Sequence, residues 1–369
     1  MITTLSVSGE VDPAQWSVEG GSGRSDGSDG TLWFDHADDW TAYAKNSLNA
    51  PTAWNSLSLA PGSELSLEAG ADLTVNQLVL EAGARLLPAT SVSVTTDSLM
   101  MSSGTALEGS TFTLAVTNAA TLSGDAEMVF EQLTLSGGHW SLQDSASIQA
   151  NLEADVTSLG VCTSCVITAS AQGHGASEGP GGVASEGNYR SGSGAGHGGA
   201  GGVGYNSTKG AGSAYGDALA PDTLGSGGGG GCGNMGAGGA GGGSLRIQVS
   251  GTLSLAGSLL ANGANGMNCA NNGYYGGGGG AGGSIWLTTG VLDASEGHRI
   301  EANGGQAGGT QTARRGGGGG GGRVVVQATT TPSETPTDLW SVNGGSGLAA
   351  GDPGSARLEA NGTVNILSL

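Results

Sequence analysis

A chain of 369 residues with formal net charge −20, from 31 acidic against 11 basic residues, lacks the clustered Lys and Arg that nucleic acid or an anionic membrane surface attracts. Its 76 glycines point toward low complexity, yet 37% hydrophobic and only 11% charged residues are not the composition of a disordered chain. No apolar run reaches the roughly 18–20 residues of a membrane span, so no membrane insertion is expected.

Residues 1–55 read as an irregular N-terminal cap with an edge strand at "TTLSVSG". "MITTLSVSGEV" lacks the basic and apolar regions of a secretion signal, so an exported form is expected to be mature, truncated or carried by another route. Trp16, Trp33, Trp40 and Trp54 suit a cap that covers apolar coil ends. "SGRSDGSDGTLWFDHADDW" concentrates carboxylates, and Asp26, Asp29, Asp35 and Asp38 form a weak Ca²⁺ candidate, because hard cations take several carboxylate and carbonyl oxygens. The EF-hand pattern is not matched, and the alternative is a solvated acidic loop. No other cofactor is expected.

Residues 56–160 repeat every 21 positions. Leu57-Ser58-Leu59, Leu78-Val79-Leu80 and Leu99-Met100-Met101 align, followed by Ala120-Thr121-Leu122 and, one residue early, Trp140-Ser141-Leu142. A second column holds Leu65, Leu86, Leu107, Met128 and Ile148, with Gly62, Gly83 and Gly104 in constant register between them. Alternation turns one face of each strand inward, and a fixed coil length stacks like residue on like. The expectation is a right-handed parallel β-solenoid of about five coils with three short strands each. An antiparallel sandwich also gives alternating strands but does not require this register. Arg85 is the only Lys or Arg between 57 and 156, which argues against a lyase. A hydrolase using two of Glu64, Glu68, Asp72 and Glu81 is the residual catalytic reading. No nucleophile or metal-protease motif occurs, so no enzyme is expected.

Residues 161–369 repeat about every 40 positions. "GGGSLRIQV", "AGGSIWLTT" and "GGGRVVVQA" each follow a glycine run and lead to a second strand ending near Asn262, Asn303 or Asn343. Each unit reads as strand, turn, strand, Asn-Gly turn and a long glycine-rich excursion. "VITASAQGHG" is a degenerate first copy, and "SARLEANGTVNILSL" a closing half-copy. Glycine tracts at one phase of every unit are expected to lie side by side as extended threefold helices, their free N–H groups bonding laterally. That makes Gly227–Gly231, Gly276–Gly280 and Gly316–Gly322 buried structural elements. The fold class expected is all-β, a parallel β-solenoid followed by β-strands interleaved with stacked polyglycine II helices.

Four cysteines in this composition suggest disulfides and an oxidising compartment, and one C-x-x-C with no partner pair does not make a zinc site. Cys232 and Cys269 lie close to one repeat apart and are the favoured pair. Cys162 and Cys165 then pair locally or remain free. Asn206 and Asn361 stand in glycosylation sequons. Tyr274-Tyr275, and Arg314-Arg315 one repeat later, mark possible contact loops, Tyr274 and Tyr275 as aromatics exposed for carbohydrate stacking. Turns that adjust tract length are the alternative.

The pattern "GGGGGAGGSIWL … RIEANGGQAGG … RRGGGGGGGRVVV" resembles glycine-rich repeats of large extracellular and surface proteins of microbes and algae. Polyglycine II bundles also occur at receptor-binding tips of some phage tail fibres and in insect-type antifreeze proteins. The resemblance implies architecture and transfers no catalytic residue. The expected function is structural: an extracellular or cell-surface filament or appendage subunit that assembles with copies of itself through strand edges at "TTLSVSG" and "GTVNILSL". The alternative is an adhesin or a receptor- or glycan-binding tip displayed on a polyglycine scaffold. Ice binding ranks below both, because aligned T-x-T rows are absent.

Overall fold

The computed structural model describes residues 32–36, 39–43, 45–48, 52–233, 235–270, 273–294, 297–331 and 339–367. Among them the chain is all-β, with one short 3₁₀ turn at Thr312–Arg314 as its helical content. The opening strands are β1 (Leu32–His36), β2 (Asp39–Tyr43) and β3 (Lys45–Leu48). They are followed by β4 (Thr52–Leu59), β5 (Glu64–Leu67), β6 (Leu73–Leu80), β7 (Arg85–Pro88), β8 (Val92–Met101) and β9 (Ala106–Leu122). Then come β10 (Glu127–Ser136), β11 (His139–Leu142), β12 (Ser147–Val156), β13 (Ser158–Val161) and β14 (Val166–Thr168).

Successive copies pair in parallel, residue for residue along the sequence columns. Leu57 pairs with Leu78 and Leu78 with Leu99. Leu65, Leu86, Leu107, Met128 and Ile148 pair each with the next, and all are buried. Gly62, Gly83 and Gly104 take φ of +70°, +74° and +71° at one corner of successive copies, a region that disfavours side chains. The turns are tied from copy to copy by polar side chains. The amide and hydroxyl of Ser93 donate to Asp72 at 2.7 and 2.8 Å and hold that carboxyl below its usual range.

The strand stack does not end at residue 160. Leu152 of β12 pairs with Leu245 of β15 (Ser244–Leu255), and Ile167 of β14 with Leu259 of β16 (Ser258–Leu260). β17 (Ser284–Ala294), β18 (Arg299–Glu301), β19 (Arg323–Thr330), β20 (Trp340–Ser341) and β21 (Ser355–Ala360) continue it. One buried column therefore runs through Leu73, Val94, Leu114, Leu135, Ala154, Ile247, Leu287, Val326 and Leu358. Parallel pairing thus continues across the boundary expected between 56–160 and 161–369. The two periods belong to one set of parallel strand pairings, and the longer one carries a glycine-rich excursion between its strands. Residues 169–243 form the first and longest insertion. The stack also begins earlier than expected: β2 and β3, inside the 1–55 cap, pair in parallel with β4 and β5.

The excursions lie against one another. In the segment 276–283, Gly277, Gly280 and Gly283 donate their amides to Met267, Ala264 and Ala261 at 2.7–3.0 Å. Gly278 and Ala281 donate to Gly229 and Ser226, and Gly279 and Gly282 to Gly317 and Gly320. The carbonyls follow the same rule: Gly276 and Gly279 accept from Gly192 and Ala195, Gly277 and Gly280 from Gly308 and Gly305, and Gly278 and Ala281 from Gly239 and Gly242. Every third residue thus faces the same neighbour, so one rod is bonded to three acceptor segments and three donor segments. Residues 227–231, 276–280 and 316–322 are all buried. A Cβ on Gly279 would stand against the Gly305 carbonyl oxygen, and one on Gly318 against that of Gly345, both well inside 3.0 Å.

Asn262 and Asn303 are not turn residues, as the Asn-Gly reading expected; neither has positive φ. Their side-chain oxygens form a ladder up the stack: Asn303 N donates to Asn262 at 2.7 Å and Asn343 N to Asn303 at 2.8 Å. Asn265 and Asn268 repeat the contact with the amides of Gln306 and Gly309, again three residues apart. The Asn-Gly pair that does make a turn is Asn361-Gly362, with φ of 53° and 71°. It folds β22 (Thr363–Leu367) back antiparallel onto β21. The other end matches, because β1 lies antiparallel on β2. Thr363–Leu367 of the closing half-copy is therefore an antiparallel hairpin strand. "TTLSVSG" lies outside the described residues.

Candidate functional site

Each rod has a stack end and a free end, and the free ends share one edge of the bundle. Two rod-to-rod turns are closed there by the bridges Gly231–Gly236 and Asn268–Gly276. The Cys232–Cys269 disulfide joins these turns, with Cα atoms 6.0 Å apart. The second disulfide, Cys162–Cys165, lies elsewhere: it staples the corner between β13 and β14, immediately before the long insertion.

Tyr275 packs beside Cys232 and Cys269 and is only 6% exposed, which corrects the expectation of a pair of exposed aromatics; Tyr274 is 48% exposed. Tyr205 and Tyr189 approach the Tyr275 ring at 6.0 and 6.3 Å between centroids. The Arg314 guanidinium sits 5.6 Å from that ring centre and donates to its hydroxyl at 3.3 Å. Bonds to its carbonyls fix the arginine loop: Ser191 Oγ donates to the Arg314 carbonyl at 2.6 Å, and Tyr205 N to the Arg315 carbonyl at 3.2 Å. Arg315 turns its guanidinium back to the Ala307 carbonyl at 2.9 Å. Tyr189 is 74% exposed and has φ of +60°, an uncommon conformation for a bulky residue and one that marks functional positions.

Glu186 anchors the neighbouring loop. Burial opposes its charge, but the Ser207 hydroxyl at 2.8 Å and the Thr208 and Lys209 amides at 2.6 and 2.9 Å outweigh that and hold its pKa below the usual value. Arg190 stands 3.7 Å away. Arg190 and the Lys209 backbone thus lie at one buried carboxylate, and Arg314 and Arg315 on the loop beside Tyr275, in a chain with only 11 basic residues. It offers rings and cationic donors, which suits binding.

Tyr189, Tyr205, Arg190, Lys209 and Glu186 escape the sequence reading because residues 169–243 have no copy to align with. Asn206 lies on the same edge, exposed at φ of 51°; Asn361 is exposed at the far hairpin and bonded through its side chain to Thr331. Of the calcium candidates, Asp26, Asp29 and Asp38 lie outside the described residues and Asp35 falls on β1. No metal-holding group of His, Cys, Asp or Glu occurs among the described residues. Glu64 pairs with Arg85, Asp72 with Ser93 and Glu81 with Ser58. No helix of the described residues is long and apolar enough to cross a membrane. Comparison with protein-family models, curated proteins and solved structures gives no match.

Proposed function

We propose that the chain is a structural subunit of extracellular or cell-surface material: a β-solenoid whose corners extend into a polyglycine II bundle. The observation that carries this reading is the threefold bonding of residues 276–283, in which successive amides serve different neighbours and the segment carries no side chain larger than the Ala281 methyl. Such a body resists bending through backbone bonds and needs little apolar volume. Two disulfides are compatible with an oxidising exterior. The sequence resemblance to glycine-rich surface proteins points the same way.

Self-assembly through the ends is the second half of the proposal. β22 bonds to β21 on one side only among the described residues and carries Val364 and Ile366, 53% and 78% exposed. An edge strand with one side unpaired and without Lys or Pro is a template for another chain. The non-identical ends make such contacts heterologous, which gives open filaments. Negative-stain microscopy and sedimentation across a concentration series are expected to show filaments, lost in Ile366→Lys. A wild-type chain that stays monomeric at every concentration and salt overturns the filament reading.

A further inference from the structure

We infer that the free edge of the bundle is a binding site for an acidic polysaccharide, one whose sugar rings carry carboxylate or sulfate groups. This goes beyond the structural reading and does not depend on filament formation.

The edge pairs two functions that such a ligand needs. Tyr189 and Tyr274 present ring surface to solvent, 74% and 48% exposed. Large amphipathic rings give contact area at low entropic cost and suit the C–H face of a sugar. Cationic side chains stand near them: Arg314 lies over the Tyr275 ring, Arg190 is 3.7 Å from Glu186, and Lys209 is exposed on the loop that Glu186 anchors. The scaffold beneath is rigid: a disulfide, the buried Tyr275 and hydrogen-bonded loops hold the donors in place before any ligand arrives.

The chain's net charge of −20 would repel a polyanion, but distance removes much of that. A rod of eight residues at about 3.1 Å each sets the edge about 25 Å from the strand stack, several times the Debye length of about 8 Å at physiological salt. A second copy of this chain is the weaker occupant. Carboxylates of its stack are already engaged: Glu64 and Glu108 by Arg85, Asp125 by Ser103, and Glu153 by Arg246.

The test is equilibrium binding of the full chain to polygalacturonate and to a sulfated glycosaminoglycan, with neutral dextran and oligothymidylate as comparisons. Binding to one or both acidic polysaccharides, at least tenfold tighter than to dextran and tighter than to oligothymidylate, is expected; which acidic polymer binds better separates carboxylate from sulfate. The double variant Tyr189→Ala, Lys209→Gln changes exposed side chains only and is expected to weaken that binding at least tenfold, with unchanged hydrogen exchange in residues 276–283. Arg314→Gln is expected to weaken it as well. Failure to bind either acidic polymer, equal binding of dextran, or tighter binding of oligothymidylate overturns the inference. So does undiminished binding by the double variant. Self-association that this variant abolishes would assign the edge to a second copy instead.

Discussion

The strand stack and the glycine bundle are built by the same chain, coil by coil, yet they are held together by opposite means. In the stack, side chains do the packing: Leu, Ile and Val columns fill the interior and alternate with solvated residues. In the bundle, most buried positions are glycine, a few side chains such as His197 and Ser226 being fitted between the rods, and backbone amides bond in three directions. A β-strand offers hydrogen bonds on two sides and must cover its faces with side chains. An extended threefold rod offers them all round and needs no cover. The bundle therefore cannot relax around an added atom, whereas the stack can partly collapse around a missing one.

That contrast sets the largest expected effect. Gly279→Val would drive a branched side chain into the Gly305 carbonyl and displace bonds to two further segments. Overpacking together with lost buried bonds is expected to cost about 4 kcal/mol or more. Leu107→Ala, which leaves a hole in the stack, is expected to cost about 3 kcal/mol. Denaturant unfolding measures both, and hydrogen exchange separates them: the glycine change should release the amides of 276–283 first, the leucine change those of β7 and β10. Equal exchange profiles for the two variants would erase the distinction.

The smallest effect is a matter of pH and tests whether the bundle tolerates charge. His197 is fully buried among the rods; its Nδ1 contacts the Gly282 carbonyl at 2.8 Å and its Nε2 the Thr223 hydroxyl at 2.9 Å. Burial, aided by the cationic Arg323 and by His174, lowers its pKa to about 4. The unfolded chain binds this proton near pH 6.5, so the neutral folded form holds its full advantage above that value. The advantage fades as pH falls from about 6.5 to 4, by at most about 3 kcal/mol. Melting between pH 7.5 and 4 should show the loss, and His197→Gln should flatten it. Glu186, whose pKa is held below its usual value by its hydrogen bonds, adds stability that is full above the ordinary carboxylate range and is lost as pH falls from that range, so it contributes only at the acid end of the melt.

Much of the stack was legible because pairing partners repeat at a constant distance, as Leu65, Leu86 and Leu107 do. Its continuity was not. The distance from Leu152 to Leu245 is set by an insertion, and an insertion leaves no periodic trace. Loop closure grows slowly with length, so a coil accepts a long excursion at one corner without losing register. Asn-Gly was ambiguous for another reason: the same dipeptide serves an extended ladder at Asn262 and a left-handed turn at Asn361, and only φ distinguishes them. At the edge, the 21-to-40 change of period marked the rods, but the rings of Tyr189 and Tyr205 meet Tyr275 only through tertiary contact.

The long insertion also fixes an order of assembly. Gly202 donates to Gly318 and Gly199 to Gly321, while the Ser191 hydroxyl reaches Arg314, 123 positions downstream. On the ribosome these amides emerge long before their acceptors exist, whereas the N-terminal coils meet their neighbours within about two dozen residues. Early, local pairing of the strands is therefore expected to precede a late condensation of the glycine rods, and truncation before residue 316 would remove the partners of Gly199 and Gly202 while leaving the bonds of Gly192 and Ala195 to Gly276 and Gly279.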